Sequence, residues 1–231
     1  MDSRRSIFLW GLAAVLGLAS AAAPAQERKL EPVDEAANDA SWVSFRNRLL
    51  AAVEKRDRKF VLGILAPNVR ASLDGSRGVA AFRKQWDIDA EDSALWRELR
   101  SALFLGSAYL KREKGQKGAP ELCAPYLLGR WPGEFDPHDY GLIIAKDVLV
   151  KSAPSNDAQT MLTLAHDIVW VTDWEVADKA PATKQSWVKL RVKGGEGYVP
   201  EEQIRSPIEH SACFVKTPGG WRMTAMAPAG G

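Results

Sequence analysis

The chain has 231 residues, of which 31 are basic and 29 acidic, so its formal net charge is +2. This balance lacks the strong positive charge that binding to nucleic acid requires, and it argues against that class of partner. Hydrophobic residues make up 46% of the chain and nine residues are Trp, which is enough apolar material for one large domain or two small ones.

The first 25 residues have the features of an export signal. Arg4 and Arg5 precede an apolar run over residues 7–19, and Ala23-Pro24-Ala25 fits a cleavage site. The alternative is a membrane anchor, but the run is shorter than the roughly 18–20 residues that span a bilayer. We therefore expect a signal peptide at residues 1–25, no membrane association after cleavage, and a periplasmic or secreted mature protein.

Residues 26–40 are polar and predict a flexible lead-in, after which helical patterns dominate. Further helices are expected from about 57 to Pro67, over 79–86 and over 93–105, followed by a hairpin of strands near 108–110 and 122–127. Residues 129–140 are rich in Pro, Gly and aromatic residues and predict a connector. A mostly helical domain over residues 41–140 is therefore predicted. Its first helix, from Ser41 to about Arg56, has apolar residues at intervals of three and four, namely Trp42, Phe45, Leu49 and Val53.

From Gly141 onward the apolar period changes to two. Short alternating runs separated by turn residues are typical of a small barrel or sandwich. A last hairpin is expected over 209–216 and 221–227. The predicted fold class is therefore α+β, with the helical domain followed, over residues 141–231, by an all-β small barrel and an extra C-terminal hairpin. The expected barrel strands lie at 142–145, 148–151, 161–164, 168–171, 187–192 and 197–199.

Six short motifs between residues 141 and 207 occur in an order that resembles bacterial SH3-like domains of the extracellular kind. The resemblance implies a closed small barrel, and peptidoglycan peptides or glycans as the usual class of ligand. The insertion over 172–186 is longer than the family generally carries, and residues 41–140 are not covered. The motifs are DVLVKSAPS (147–155), MLTL (161–164), IVWV (168–171), WVKL (187–190), GGEGYV (194–199) and QI (203–204).

Cys123 and Cys213 are the two cysteines of the chain. In an oxidising compartment two thiols often pair, and a bridge here would close a loop of about 90 residues. The alternative is two buried free thiols. Neither residue belongs to a Cys/His ligand cluster, so we expect no metal site and no cofactor.

Aromatic residues are the most informative class in the second half of the chain. A small barrel is too small to bury all of those in the connector and the strands, and exposed Trp and Tyr suit stacking on a sugar ring or anchoring a peptide. Trp174, in the polar insertion, is expected to be the most exposed. For Trp187 and Tyr198 the alternative is plain core packing. The predicted binding surface consists of Trp170, Trp174, Trp187 and Tyr198.

The sequence contains no motif that pairs a nucleophile with a base. We expect a non-enzymatic envelope protein that binds cell-wall peptidoglycan or a protein partner. One alternative is an envelope hydrolase whose site lies in residues 41–140, with the barrel as a targeting module. Carboxylates near aromatic residues are typical of glycoside hydrolysis, although a solvated connector is the simpler interpretation. Another alternative is a purely structural protein. The hydrolase hypothesis requires a pocket formed by Arg130, Asp136, His138 and Asp139.

Overall fold

The computed structural model describes residues 28–112, 114–115, 117–179 and 185–229. The predicted signal peptide, residues 1–25, lies outside the described residues. Five short helices are present in the described ranges. They are α1 (Ala40–Glu54), α2 (Arg58–Gly63), α3 (Val79–Trp86), α4 (Leu95–Phe104) and α5 (Leu127–Arg130).

Thirteen strands accompany these helices in the described ranges, and a 3-10 turn at Glu201–Gln203 precedes β11. The strands are β1 (Arg28–Lys29), β2 (Leu65–Arg70), β3 (Ala108–Tyr109), β4 (Glu121–Ala124), β5 (Tyr140–Ile143), β6 (Val148–Lys151), β7 (Thr160–Leu164), β8 (Asp167–Ala177), β9 (Ser186–Val192), β10 (Gly195–Pro200), β11 (Ile204–Arg205), β12 (His210–Thr217) and β13 (Gly220–Pro228).

One sheet has five strands in the order β2-β13-β12-β4-β3, and only its β2–β13 pair is parallel. Helices α1 and α4 cover it. Helix α1 begins at Asp39, whose side chain accepts hydrogen bonds from the backbone N–H groups of the first turn. The ring of Trp42 on α1 lies 5.2 Å from that of Phe214 and 5.0 Å from that of Trp221. These aromatic contacts join helix α1 to the hairpin formed by β12 and β13.

The other sheet follows the order β11-β5-β8-β9-β10-β6-β7, and β1 joins it at β8. Aliphatic residues on its inner side form a second core that includes Val150, Val188 and Leu190. Strands β5–β11 of this sheet are inserted between β4 and β12, whereas β1 comes before every strand of the five-stranded sheet. The chain therefore leaves the five-stranded sheet after β4 and returns to it at β12.

A third apolar cluster joins the two sheets. Leu142 and Ile168 of the eight-stranded sheet pack with Tyr126 and Leu127 beside α5. The Tyr126 hydroxyl donates a hydrogen bond to the carbonyl of Leu30 at 2.9 Å, and burial raises the pKa of this phenol.

Residues 28–39, part of the predicted flexible lead-in, contact both sheets. Strand β1 pairs with β8. Asp34 accepts hydrogen bonds from Arg46 Nη1 at 2.5 Å and from Ser107 Oγ at 2.6 Å. The described part of the lead-in is therefore held by strand pairing and side-chain bonds.

The predicted mostly helical N-terminal domain is wrong. Strand accounts for 37% and helix for 24% of the residues that the structure describes. The helices of residues 41–140 pack on a sheet that this region shares with the C-terminal hairpin. The prediction failed for two reasons. Pro67, expected to end a helix, lies inside β2, where proline is tolerated because β2 is an edge strand. The pairing of β12 with β4 joins distant segments, which local patterns cannot show.

The predicted closed SH3-like barrel with an extra hairpin is also wrong. Among the described residues, the two end strands of the path, β11 and β7, pair with β5 and β6 and not with each other, so the sheet is open. Strand β8 runs for 11 residues, well into the predicted insertion, with two register shifts along its pairing with β9. The expected extra hairpin belongs to the five-stranded sheet.

A disulfide joins Cys123 on β4 to Cys213 on β12, with an S–S distance of 2.07 Å. The two residues are direct cross-strand partners. Because β5–β11 lie between these two strands in the chain, the disulfide closes the point at which the chain leaves the five-stranded sheet and returns to it.

No helix in the described ranges combines the length and the apolar composition that crossing a bilayer requires.

Candidate functional site

The four aromatic residues predicted to form a binding surface lie in three different places. Trp170 and Tyr198 are half-buried on the outer face of the eight-stranded sheet. Trp187 is fully buried and donates a hydrogen bond from Nε1 to Asp178 Oδ2 at 2.8 Å. Trp174 lines a cleft at the junction of the two sheets. The strand register places Trp187 on the same face of the sheet as Trp170 and Tyr198, but Trp187 is covered there, whereas Trp174 lines the cleft. The structure therefore leaves Trp170 and Tyr198 as the partly exposed pair of that face.

Trp170 is the centre of a row of side chains that crosses three neighbouring strands. Tyr140 on β5 pairs directly with Trp170 on β8, which pairs directly with Arg191 on β9. Directly opposed residues of antiparallel strands project from the same face, and the aliphatic core lies on the other face. We call Phe135, Tyr140, Trp170 and Arg191 the aromatic row.

The rings of the aromatic row touch edge to face. The centroids of Phe135 and Tyr140 are 4.9 Å apart, and those of Tyr140 and Trp170 are 5.2 Å apart. The guanidinium carbon of Arg191 lies 5.4 Å from the centroid of Trp170, within the range of a cation–π contact. Each ring is partly buried, so the row offers ring edges and part of each ring surface to solvent.

Polar groups border the aromatic row on its β10 side. Glu196 pairs directly with Arg191 across β9 and β10 and forms an ion pair with Lys189 at 2.6 Å. The hydrogen bond to Glu196 raises the pKa of Lys189. Tyr198 lies opposite Lys189 on the same face. The surface thus combines ring-bearing side chains with fixed donors and acceptors, the composition that suits recognition of a sugar or an extended peptide.

The connector holds the first ring of the row in place. Trp131 donates from Nε1 to the carbonyl of Phe135 at 2.9 Å. Asp136 accepts a hydrogen bond from the backbone N–H of His138 at 2.9 Å, a turn that leads directly into β5. Hydrogen bonds within the connector therefore fix the position of Phe135 beside Tyr140.

The second candidate region is a cleft of about 600 Å³ between α4 and the eight-stranded sheet, which we call the junction cleft. Its apolar wall consists of Ile144, Trp174 and Ile204. Its remaining lining is polar: Arg97, Glu98, Ser101, Gln185, Ser186, Glu201, Glu202, Arg205, Glu209 and His210.

Arg205 holds the wall of the junction cleft together. It is only 4% exposed, and it donates to Ser101 Oγ on α4 at 2.8 Å and to the carbonyl of His210 at 2.7 Å. Its Nη1 lies 3.2 Å from Glu209 Oε2. Burial raises the pKa of Glu209, whereas burial lowers the pKa of His210.

The residues of the hydrolase hypothesis do not converge. Asp136, His138 and Asp139 are exposed on the connector, and Asp136 serves a backbone turn. Arg130 forms an ion pair with Glu35 at 3.0 Å, and both residues line a separate pocket of about 520 Å³ that does not include Asp136, His138 or Asp139. Within the described ranges, no group of three or more His, Cys, Asp or Glu side chains is arranged to hold a metal ion.

Sequence reasoning missed Phe135, Tyr140 and Arg191 as partners of Trp170. Tyr140 and Phe135 were assigned to a connector, and Arg191 to an ordinary strand position. The aromatic content of 131–140 was a usable signal, but only the register between β5, β8 and β9 shows that these residues adjoin Trp170.

Comparison of the chain with known protein families, with curated proteins and with solved structures gives no match.

Proposed function

We propose that this protein is an exported, non-enzymatic protein of the bacterial envelope that binds cell-wall peptidoglycan through the aromatic row. The observation that carries the proposal is the row formed by Phe135 in the connector and by Tyr140 and Trp170 on adjacent strands, with the guanidinium of Arg191 over the Trp170 ring. Partly exposed aromatic rings beside charged groups stack on sugars and anchor peptides. Peptidoglycan supplies both chemistries.

Two further features support this proposal. The N-terminal sequence has the pattern of an export signal, and disulfides persist mainly in oxidising compartments outside the cytoplasm. The order of motifs in residues 141–207 resembles a family whose usual ligands are cell-wall peptides and glycans. This resemblance is the reason for choosing peptidoglycan over other polymers.

The test is co-sedimentation of the mature protein with purified peptidoglycan sacculi. Loss of an aromatic anchor from a binding surface costs about 1–2 kcal/mol, so we expect Trp170→Ala to weaken binding by about five- to thirtyfold. Arg191→Ala should weaken it in the same direction. Phe104→Ala is the matched control, because Phe104 is exposed and its ring centroid lies 4.7 Å from the guanidinium carbon of Arg100. It lies on α4, outside the aromatic row, and its variant should bind like the parent protein.

Three outcomes would contradict the proposal. The first is that the mature protein does not sediment with sacculi. The second is that Trp170→Ala and Phe104→Ala bind equally well, which would place the contact elsewhere. The third is release of soluble peptidoglycan fragments during incubation, which would indicate hydrolysis. Capture of an envelope protein in place of sacculi would favour the protein-partner hypothesis.

A further inference from the structure

One wall of the junction cleft is formed by the half-buried indole of Trp174, which packs against Gly141. A side-chain carbon on Gly141 would lie 2.9 Å from Trp174 Cη2 and 2.8 Å from Ile204 Cδ1. The absence of a side chain at 141 therefore lets Trp174 and Ile204 lie against β5. With Ile144 they form an apolar wall of the kind that accommodates an aliphatic chain.

The charge of the junction cleft is mainly negative. Four glutamates line it against two arginines, and His210 adds little positive charge at neutral pH because burial lowers its pKa. Both arginines already pair with a lining carboxylate. Arg205 pairs with Glu209, and Arg97 Nη2 lies 2.9 Å from Glu98 Oε1.

Two carboxylates of the cleft stay unneutralised. Glu201 and Glu202 are exposed at the 3-10 turn, and neither has a hydrogen-bond or ion-pair partner among the described residues. Glu201 is close enough to Glu209 for its charge to contribute to the raised pKa of that group. A cation entering the cleft would relieve this repulsion.

The cleft wall also holds a hydrogen-bond donor without an acceptor. Arg205 is 4% exposed and lines the cleft, and within the part of the chain that the structure describes its Nε–H has no partner. A buried unpaired donor is costly, and such groups are usually satisfied by water or by a ligand. This nitrogen is covered by neighbouring atoms, so its pairing with a ligand requires a small shift of the cleft wall. A neutral carbonyl oxygen suits this donor better than a carboxylate, because the cleft already has an excess of negative charge.

We propose that the junction cleft binds a lysine-bearing peptide, with the ammonium group at Glu201 and Glu202, the aliphatic stem on Trp174 and a backbone carbonyl at Arg205. A volume of about 600 Å³ accommodates a ligand of this size. The site is separate from the aromatic row and does not depend on peptidoglycan binding there.

The test follows the indole N–H resonance of Trp174 by NMR while the mature protein is titrated with acetyl-Gly-Lys-Gly-amide. We expect saturable binding that weakens as salt is added, because exposed carboxylates provide part of the attraction. The same peptide carrying Nε-acetyl-lysine should bind about five- to tenfold more weakly, because it lacks the ammonium group that pairs with the carboxylates. Cadaverine, which has the ammonium and the stem but no carbonyl, should bind more weakly than the peptide.

The double variant Glu201→Gln/Glu202→Gln should weaken peptide binding by about five- to tenfold, since exposed ion pairs contribute modestly. Glu54→Gln/Glu175→Gln is the matched control, because it removes two exposed carboxylates outside the cleft and should leave binding unchanged. Equal binding of the acetylated peptide, or equal weakening by both double variants, would overturn the proposal. Cadaverine binding as tightly as the peptide would overturn the peptide assignment.

Discussion

His210 lies where the two sheets meet, because its carbonyl accepts a hydrogen bond from Arg205 on β11. It begins β12, and its ring lies 4.9 Å from that of Trp86 and 3.8 Å from a carboxylate oxygen of Glu98. Burial is the largest influence and lowers its pKa. Glu98 opposes the shift, whereas Arg205 and Arg97 reinforce it. The neutral imidazole is thus the form that the folded protein favours.

This shift predicts how stability depends on pH. A histidine whose folded pKa lies below 6.5 contributes stability that is present above 6.5 and is lost as the pH falls through the folded pKa. Glu209 has a raised pKa and acts in the opposite sense, since its contribution is present below 4.5 and lost as the pH rises. As the pH falls below 6.5, we therefore expect the free energy of unfolding to decrease less for His210→Gln than for the parent protein.

Urea unfolding between pH 5 and pH 7.5 measures this difference. His138→Gln is the control, because it removes an exposed histidine of the connector without changing the junction. Identical pH slopes for His210→Gln and the parent protein would show that His210 does not titrate differently in the folded and unfolded states.

At the scale of elements, the turn between α4 and β3 holds the segment around Val33 in place. Gly106 has a φ of +73°, and a side-chain carbon there would lie 2.2 Å from the carbonyl oxygen of Val33. The backbone N–H of Ser107 donates to that same carbonyl at 3.1 Å. The segment can approach this turn only because residue 106 has no side chain.

Replacement of Gly106 should therefore be costly. We expect Gly106→Ala to lower the free energy of unfolding by about 2 kcal/mol or more, since it combines an unfavourable φ with a clash against backbone. Gly63→Ala should change it by less than about 1 kcal/mol, because Gly63 ends α2 in open space. Urea midpoints of the two variants provide the comparison, and equal midpoints would contradict it.

Several elements could be predicted from local pattern alone. Helix α1 was expected at 41–56 and lies at Ala40–Glu54, and α3 has the predicted bounds, because a repeat of three and four residues on one buried face is a property of the segment itself. Strand β2 was missed because a proline on an edge strand resembles a helix end. The length of β8 was missed because its bulges conceal the alternation of polar and apolar residues.

At the scale of the whole molecule, the disulfide determines how firmly the inserted sheet is attached. Cys123 and Cys213 are 90 residues apart in sequence, so the bridge restricts most of the eight-stranded sheet in the unfolded chain. We expect Cys123→Ala/Cys213→Ala to lose about 2–4 kcal/mol of stability. Thermal unfolding with and without reductant tests this expectation, and a parent protein insensitive to reductant would contradict it.

The arrangement of the two sheets could not be predicted from the sequence, although many of the strands could. The partners of β12 are β13, nearby in sequence, and β4, about 90 residues away. Phe214, Trp221 and Met223 lie in the predicted last hairpin, and in the structure they share the core with α1, a contact that no local pattern shows. For the same reason the sequence predicts a place for Trp170 on the binding surface but does not show its neighbours in the aromatic row.

The most direct test of peptidoglycan binding through the aromatic row is an NMR titration with soluble peptidoglycan fragments. It follows the indole N–H signals of Trp170, Trp42 and Trp187, of which the last two are fully buried. We predict that the Trp170 signal shifts in a saturable manner while those of Trp42 and Trp187 stay in place. Saturable binding of the fragments with an unmoved Trp170 signal would contradict this account.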